Sequence, residues 1–347
     1  MLYYGQENNL RNGMISMTSK KAPTMRDVAL KAGVALGTVS KVINNIPVSE
    51  KNRKKVEEAI AELNYEVNTY ARGLKTQKSN LVALIIPNTL NPFFATFANY
   101  IESALYRNGM KMLLCCAGGI PEKEAEYLNL AMNNKVDGVI ALTYSDIGKY
   151  ISDGFPLVVF DRFFENRVIP RVASDNFAGA CLAVEKLLEF GCKRPVYIRF
   201  HSIFPGESDK RLAGYLHACA AHGIEPDYLN MIECPENLAL MEDFLRQHQR
   251  PDKELTFDGV FAHTDYHAFL FMEQLRQNGY RVPEDVQIIG FDGIRKFRYP
   301  AGDLFVSSIC QPIEQLAEKC VEILMARCCG AQVPPLTLLR CSTGTGG

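Results

Sequence analysis

Apolar positions repeat with helical spacing early in this chain and with strand–helix alternation afterwards, and the texture changes near residue 80. In the first part, Val28, Ala29 and Ala32 share one side of a helix, and Val39, Val42 and Ile43 share one side of a second, over residues 36–44. Gly33 between them supplies a tight turn. Thr24 stands before Asp27 with the spacing of a capping box, so the first helix is expected to start there and to run to Ala32. Ser49 is placed to cap a third helix, along which Val56, Ala59, Ile60 and Leu63 fall on one face.

From Leu81 onward, short apolar runs (Leu81–Ile86, 112–115, 136–142, Leu157–Phe160) alternate with amphipathic stretches such as 122–133. The alternation resumes with 196–198, 212–221, Gly259–Ala262, 268–277 and 286–291. Such units predict parallel strands with helices on both faces. They are too many for one open sheet of normal width, so two doubly wound α/β lobes are expected. A ligand cleft then lies beyond the carboxyl ends of their strands.

Composition narrows the class. At 347 residues, 47% hydrophobic and 22% charged, the chain has the balance of a soluble protein of more than one domain. No apolar run approaches the ~18–20 residues of a membrane span. Residues 1–17 lack the basic start and apolar stretch of a secretory signal, so a cytoplasmic protein is expected. The eleven cysteines show no C-x-x-C pair. Cys115 with Cys116, and Cys328 with Cys329, sit in apolar runs and read as buried thiols; no metal and no cofactor is expected.

The formal net charge of −1 conceals an asymmetry. Residues 18–78 hold twelve Lys/Arg against six Asp/Glu, and the rest of the chain is acidic. A basic head on an acidic body suits a polyanionic partner, although Lys51, Arg53, Lys54 and Lys55 could simply solvate a helix face. The second helix carries more information. With its apolar side turned inward it presents Leu36, Gly37, Thr38, Ser40, Lys41 and Asn44, a face of short groups and one cation that fits a DNA major groove.

Asp27-Val28-Ala29, Ala32-Gly33-Val34, Thr38-Val39-Ser40 and Val42-Ile43-Asn44 together resemble the helix-turn-helix of the lactose-repressor (LacI/GalR) family. The resemblance continues through Ala71-Arg72-Gly73-Leu74-Lys75, Asn91-Pro92-Phe93-Phe94, Val136-Asp137-Gly138 and Asp161-Arg162. Arg211-Leu212-Ala213-Gly214-Tyr215, Gly290-Phe291-Asp292 and Gln311-Pro312 extend it over nearly all of residues 24–340. It implies a helix-turn-helix domain over 24–67, a hinge helix and linker over 68–78, and a periplasmic-binding-protein-like ligand and dimerisation domain over 79–341, crossed three times between its lobes. Residues 1–23 then read as a disordered arm or a mis-called start, and 342–347 as a tail. The resemblance also implies a homodimeric repressor in the bacterial cytoplasm, bound to the nucleoid when on operator DNA and controlled by a sugar or sugar phosphate.

DNA contacts are carried over to Thr24, to the six outward groups of the second helix and to Leu74, which matches a leucine that wedges into the minor groove. A hinge this short, containing Gly73, is marginal alone, so its folding is open to control. Gly37, Ala35 and Lys41 depart from the family's commoner choices; lysine lacks arginine's fork. Ligand contacts are carried over to Asn88, Phe93, Phe94, Arg162, Asp175, Arg211, Asp265 and Asp292, with helix N-caps as the plainer alternative for Asp175 and Asp265. Asn88, Thr264 and Gly293 are departures, and Arg199 beside Arg211 would suit a phosphorylated ligand. His263 and His267 share H-x-x-x-H spacing, but the first ends a strand, against a zinc pair. A solute-binding protein or an α/β enzyme with an accessory head are the alternatives. The first predicts a secretory signal, and the second predicts a glycine fingerprint where Pro87 to Pro92 stand.

Overall fold

The computed structural model describes residues 23–65, 79–133, 136–152, 154–164, 167–202, 204, 206–232, 237–296 and 302–346. Residues 76–347 form one compact unit and residues 1–75 another. Leu74 and the expected hinge lie outside the described residues, as does the N-terminal arm before Pro23.

In the head, α1 (Met25–Ala32), α2 (Leu36–Ile43) and α3 (Glu50–Leu63) close around Val28, Val39 and Val56, which have no exposed surface. The expected cap at Thr24 is present in both directions: its hydroxyl accepts from Asp27 N, and Asp27 accepts from Thr24 N at 2.7 Å. Gly33 ends α1 in the left-handed region (φ 62°), which glycine enters without strain. Ser49 does precede α3, but its side chain makes no capping bond, so the helix starts without that contribution.

The larger unit contains two six-stranded sheets. The first lobe holds β1 (Leu81–Ile86), β2 (Lys111–Cys116), β3 (Gly138–Ala141), β4 (Leu157–Phe160), β5 (Arg171–Ser174) and β11 (Leu336–Leu339), in the order β11-β5-β4-β3-β1-β2, all parallel. The second holds β6 (Pro195–His201), β7 (Asp227–Ile232), β8 (Gly259–Ala262), β9 (Gln287–Asp292), β10 (Ser307–Cys310) and β12 (Ser342–Gly344), in the order β12-β10-β9-β8-β6-β7. The chain crosses between sheets after β5, after β10 and after β11. Residues 342–344 are therefore no tail: they pair antiparallel with β10 and finish the second sheet.

Helices cover both faces, as buried apolar strands require. On the first lobe these are α4 (Pro92–Arg107), α5 (Pro121–Asn133) and α10 (Ile313–Cys328); on the second, α6 (Asn176–Glu189), α7 (Lys210–Ala221), α8 (Asn237–Gln247) and α9 (Asp265–Gln277). β1 is buried from Val82 to Ile86 because α4 and α10 cover one side and α5 the other. In the second lobe α6 and α7 cross at Gly214, where a Cβ would sit 2.9 Å from that of Ala180.

Candidate functional site

The head's reading face follows from its buried one. With Val39 and Val42 turned inward, Leu36, Gly37, Lys41 and Asn44 are exposed, and Thr38 and Ser40 are half-buried. Ala35 gives α2 no side-chain cap, so the first N–H groups of the helix keep their capacity for an external acceptor. Asn44 is partly engaged: its amide donates to the Ser40 carbonyl at 2.7 Å. Thr24 is committed to its own capping box.

The second site lies where the strand ends of the two lobes meet. Asp161 directly follows β4, His263 directly follows β8 and Asp292 ends β9, so each apolar run gives way to a polar residue at this end of the sheets. Asp161 and Asp292 hold positive φ values of 61° and 132°. Non-glycine residues occupy such regions at a cost of ~1–3 kcal/mol, which marks these turns as strained. The Asp161 carboxylate accepts from Asn176 Nδ2 at 3.3 Å and from Ser208 N at 3.4 Å. Asp292 accepts from Gln311 Nε2 at 2.7 Å, and Gln311 in turn accepts from Ser174 Oγ at 2.7 Å.

Arg211, only 4% exposed, lies centrally. Its Nε donates to Asn176 Oδ1 at 2.7 Å, Nη1 donates to the His263 carbonyl, and the guanidinium lies 3.6 Å from the Phe291 ring centroid. Asp265 is the first residue of α9 but not its cap, a role taken by Thr264. Its carboxylate instead accepts from Ile294 N and Ser308 Oγ, both at 2.6 Å. Burial pushes the carboxyl groups of Asp161, Asp265 and Asp292 above the usual carboxylate range, to about 8 for Asp292, against the opposing pull of Arg211. The same burial, reinforced by Arg211, lowers His263 and His267, so both rings are neutral. Their Nδ1 atoms are engaged by Tyr197 Oη at 2.8 Å and Thr264 Oγ at 2.7 Å.

The remaining sequence candidates fall into two groups. Arg162 is buried and donates to the Thr143 carbonyl (2.9 Å) and, across the lobes, to that of Phe204 (3.3 Å). Phe93 and Phe94 are buried in the first turn of α4, within the first lobe's core. Asp175 is held in its plainer role, capping α6 at Ala178 N, and Asn88 accepts from Leu90 N and Asn91 N to shape the turn after β1. Arg199 is tied down by Asn230 at 2.6 Å and Asp209 at 3.1 Å, which removes the argument that it waits for a phosphate. Gly293 is explained: at φ 79° a Cβ there would lie 2.9 Å from Cys310 Cα.

Asp161, Asn176, His263 and Gln311 were not among the sequence candidates. Asp161 and His263 share one signal, a polar residue directly after an apolar run, whereas Asn176 and Gln311 carry no such mark; Asp161 and Gln311 stand within motifs already quoted.

The lobes also touch directly. The loop after β6 lays Gly206 in an isolated bridge against Arg162, and Glu207 N donates to the Asp161 carbonyl at 2.8 Å. Buried Glu207 pairs with Arg171 of β5 at 2.9 Å. A Cβ on Gly206 would come within 2.8 Å of the Asp161 carbonyl and collide with the Arg162 guanidinium. Gly206→Ala should therefore leave the core folded but weaken ligand closure, reducing affinity about tenfold, or ~1.4 kcal/mol, by titration calorimetry. Unchanged affinity would show that the bridge plays no part in closure.

Comparison with known proteins covers both units. A family model described as bacterial regulatory proteins, lacI family, matches residues 24–68, and a periplasmic binding protein-like domain matches residues 184–344. The sucrose operon repressor of Pediococcus pentosaceus is 32% identical over 88% of this chain and 92% of its own length. The ribose operon repressor of Halalkalibacterium halodurans is 35% identical over 87% of this chain and 89% of its own. A periplasmic binding protein/LacI transcriptional regulator from Alkaliphilus metalliredigens, solved with D-xylulofuranose, superposes with a TM-score of 0.65 at 28% identity, covering 77% of this chain and 99% of that one.

Proposed function

The chain belongs to the LacI family of bacterial regulatory proteins, and from that membership we propose a homodimeric repressor whose grip on operator DNA is set by a sugar held between its two lobes. The relatives named above are repressors rather than enzymes, and this chain is read in the same way. It acts on DNA in the cytoplasm and joins the nucleoid when bound there. The observation that carries the reading is the convergence of buried Arg211, Asp265 and Asp292 with half-buried Asp161 on one floor, in a chain whose head exposes Leu36, Gly37 and Lys41.

The floor also selects the kind of sugar. Carboxylates accept from hydroxyl groups, and the Arg211 fork can share a hydroxyl oxygen. Both guanidinium groups of the floor, Arg162 and Arg211, already donate to carbonyl and amide oxygens. Among the described residues of the floor neither is therefore free to meet a phosphate, so a neutral polyhydroxylated ligand is favoured. Sucrose and ribose, named for the relatives, are of this class.

Selection from random duplexes by the full-length wild type should return a pseudo-palindromic site. Lys41→Ala should weaken binding to that site by roughly 1–3 kcal/mol in a gel-shift titration. Recovery of no preferred duplex would overturn the repressor reading. In parallel, a thermal-shift screen should show D-ribose or another neutral sugar raising the unfolding midpoint, with sugar phosphates inactive.

A further inference from the structure

We propose that Asp137 is the positioning residue through which the core holds the linker to the DNA-reading head, and that α10 joins this anchor to the floor of the cleft. The geometry at the anchor is specific. Ser79 N and Ser79 Oγ donate to Asp137 Oδ1 at 2.8 and 3.1 Å, and Asn80 N donates to Oδ2 at 2.8 Å. One carboxylate thus fixes the first two described residues after the segment 66–78. Asn80 sits in the left-handed region (φ 52°), and its carbonyl is in turn held by Lys111 N at 2.8 Å. The chain is therefore clamped where it enters β1.

Asp137 precedes β3, and α10 lies against it. Cys328 Sγ, in the last turn of α10, donates to the Asp137 carbonyl at 3.3 Å. A Cβ on Gly138 would lie 2.8 Å from Leu324 Cδ1, so strand and helix meet here without slack. The other end of α10 begins two residues after Gln311, whose carbonyl accepts from Ile313 N at 2.9 Å and whose amide spans Asp292 and Ser174 at 2.7 Å each. Between the ends, Leu316, Ala317, Cys320, Val321 and Leu324 are buried in the first lobe's core. Sixteen helical residues, about 24 Å at 1.5 Å per residue, connect the two places. A densely packed helix passes on a shift at one end instead of absorbing it. A ligand that draws on Asp292 therefore pulls on Gln311, and α10 carries the displacement to Asp137, Ser79 and the linker.

The DNA consequence rests on the repressor reading, whereas the coupling itself does not, and the test separates them. Amide exchange on the full-length protein reads the coupling alone. Gln311→Ala should speed exchange at Ser79 and Asn80 at least about fivefold, with β7 unchanged; unaltered exchange there would overturn the rod. The duplex selected by the wild type then reads the consequence. Asp137→Asn puts an amide where Asn80 N needs an acceptor, and should change operator affinity about tenfold, while Ser79→Ala, which removes one bond of the set, should have a smaller effect. In the double variant, Gln311→Ala should add nothing to Asp137→Asn; effects that multiply independently would show that the anchor lies off the route. Unfolding midpoints of each variant exclude global loss of structure. Failure to select any duplex sinks the repressor reading and leaves the exchange result to decide the coupling.

Discussion

Arg211→Ala should lower the thermal midpoint of the core by roughly 5–15 °C, because breaking a buried charge network costs ~3–5 kcal/mol and each kcal/mol moves a unit of this size by a few degrees. The side chain removed is the one that bonds Asn176 and the His263 carbonyl, covers Phe291 and opposes the buried acids. It should also abolish the midpoint rise expected of the wild type with the proposed ligand. Arg211→Lys keeps the charge without the fork, so it should recover part of the stability and little of the sugar response. Scanning calorimetry with and without ligand measures both. A normal midpoint and an intact ligand shift in the alanine variant would show that Arg211 is peripheral.

Stability should fall as pH rises from neutrality to pH 9, with Asp292→Asn flattening the slope. Burial raises the folded-state pKa values of Asp161, Asp265 and Asp292 above their unfolded values near ~4, so between those limits the folded protein binds more protons than the unfolded chain. The stability they contribute is fully present below the unfolded values and is lost as pH climbs through the folded ones. His263 and His267 act in the opposite sense, because their depressed values make acidification below about pH 6.5 unfavourable. Above neutrality the histidines are uncharged in both states and the acids act first; toward pH 9 buried thiols such as Cys115 and Cys192, also raised by burial, steepen the fall in wild type and variant alike. Each acid contributes at most ~1.4 kcal/mol per pH unit, and between pH 7 and 8 Asp292, raised to about 8, should supply most of the slope. Urea unfolding at pH 7 and pH 9 gives the comparison; equal slopes in wild type and variant would remove Asp292 from this role.

The buried strands were legible because their signal is local. Leu81–Ile86, Leu157–Phe160 and Gly259–Ala262 occupy the positions that their apolar runs gave. β7 was missed because an edge strand with only Met231 buried has no such run, and β5 because its four residues begin and end polar. β12 was missed because nothing in Ser-Thr-Gly signals pairing; a ladder with β10 supplies it. The same division holds at the cleft. Arg211, Asp265 and Asp292 came from resemblance, and the structure brings them together. Asp175 and Asn88 did not join them, since an acid or amide at a helix start or turn satisfies neighbouring N–H groups as readily as it waits for a ligand. Gln311 shows the converse: a glutamine after a short strand looks like loop chemistry until two lobes close around it.

The pairing of β11 and β12 has a consequence during synthesis. Both sheets take an edge strand from residues 336–344, which leave the ribosome after every other strand, whereas α1, α2 and α3 emerge first. A nascent chain stalled before residue 336 would carry a complete head and two sheets that each still expose an open ladder, the surface that chaperones shield and aggregates recruit. A nonsense change late in the coding region is therefore more damaging than its position suggests, since it leaves the head folded and both sheets of the core unfinished.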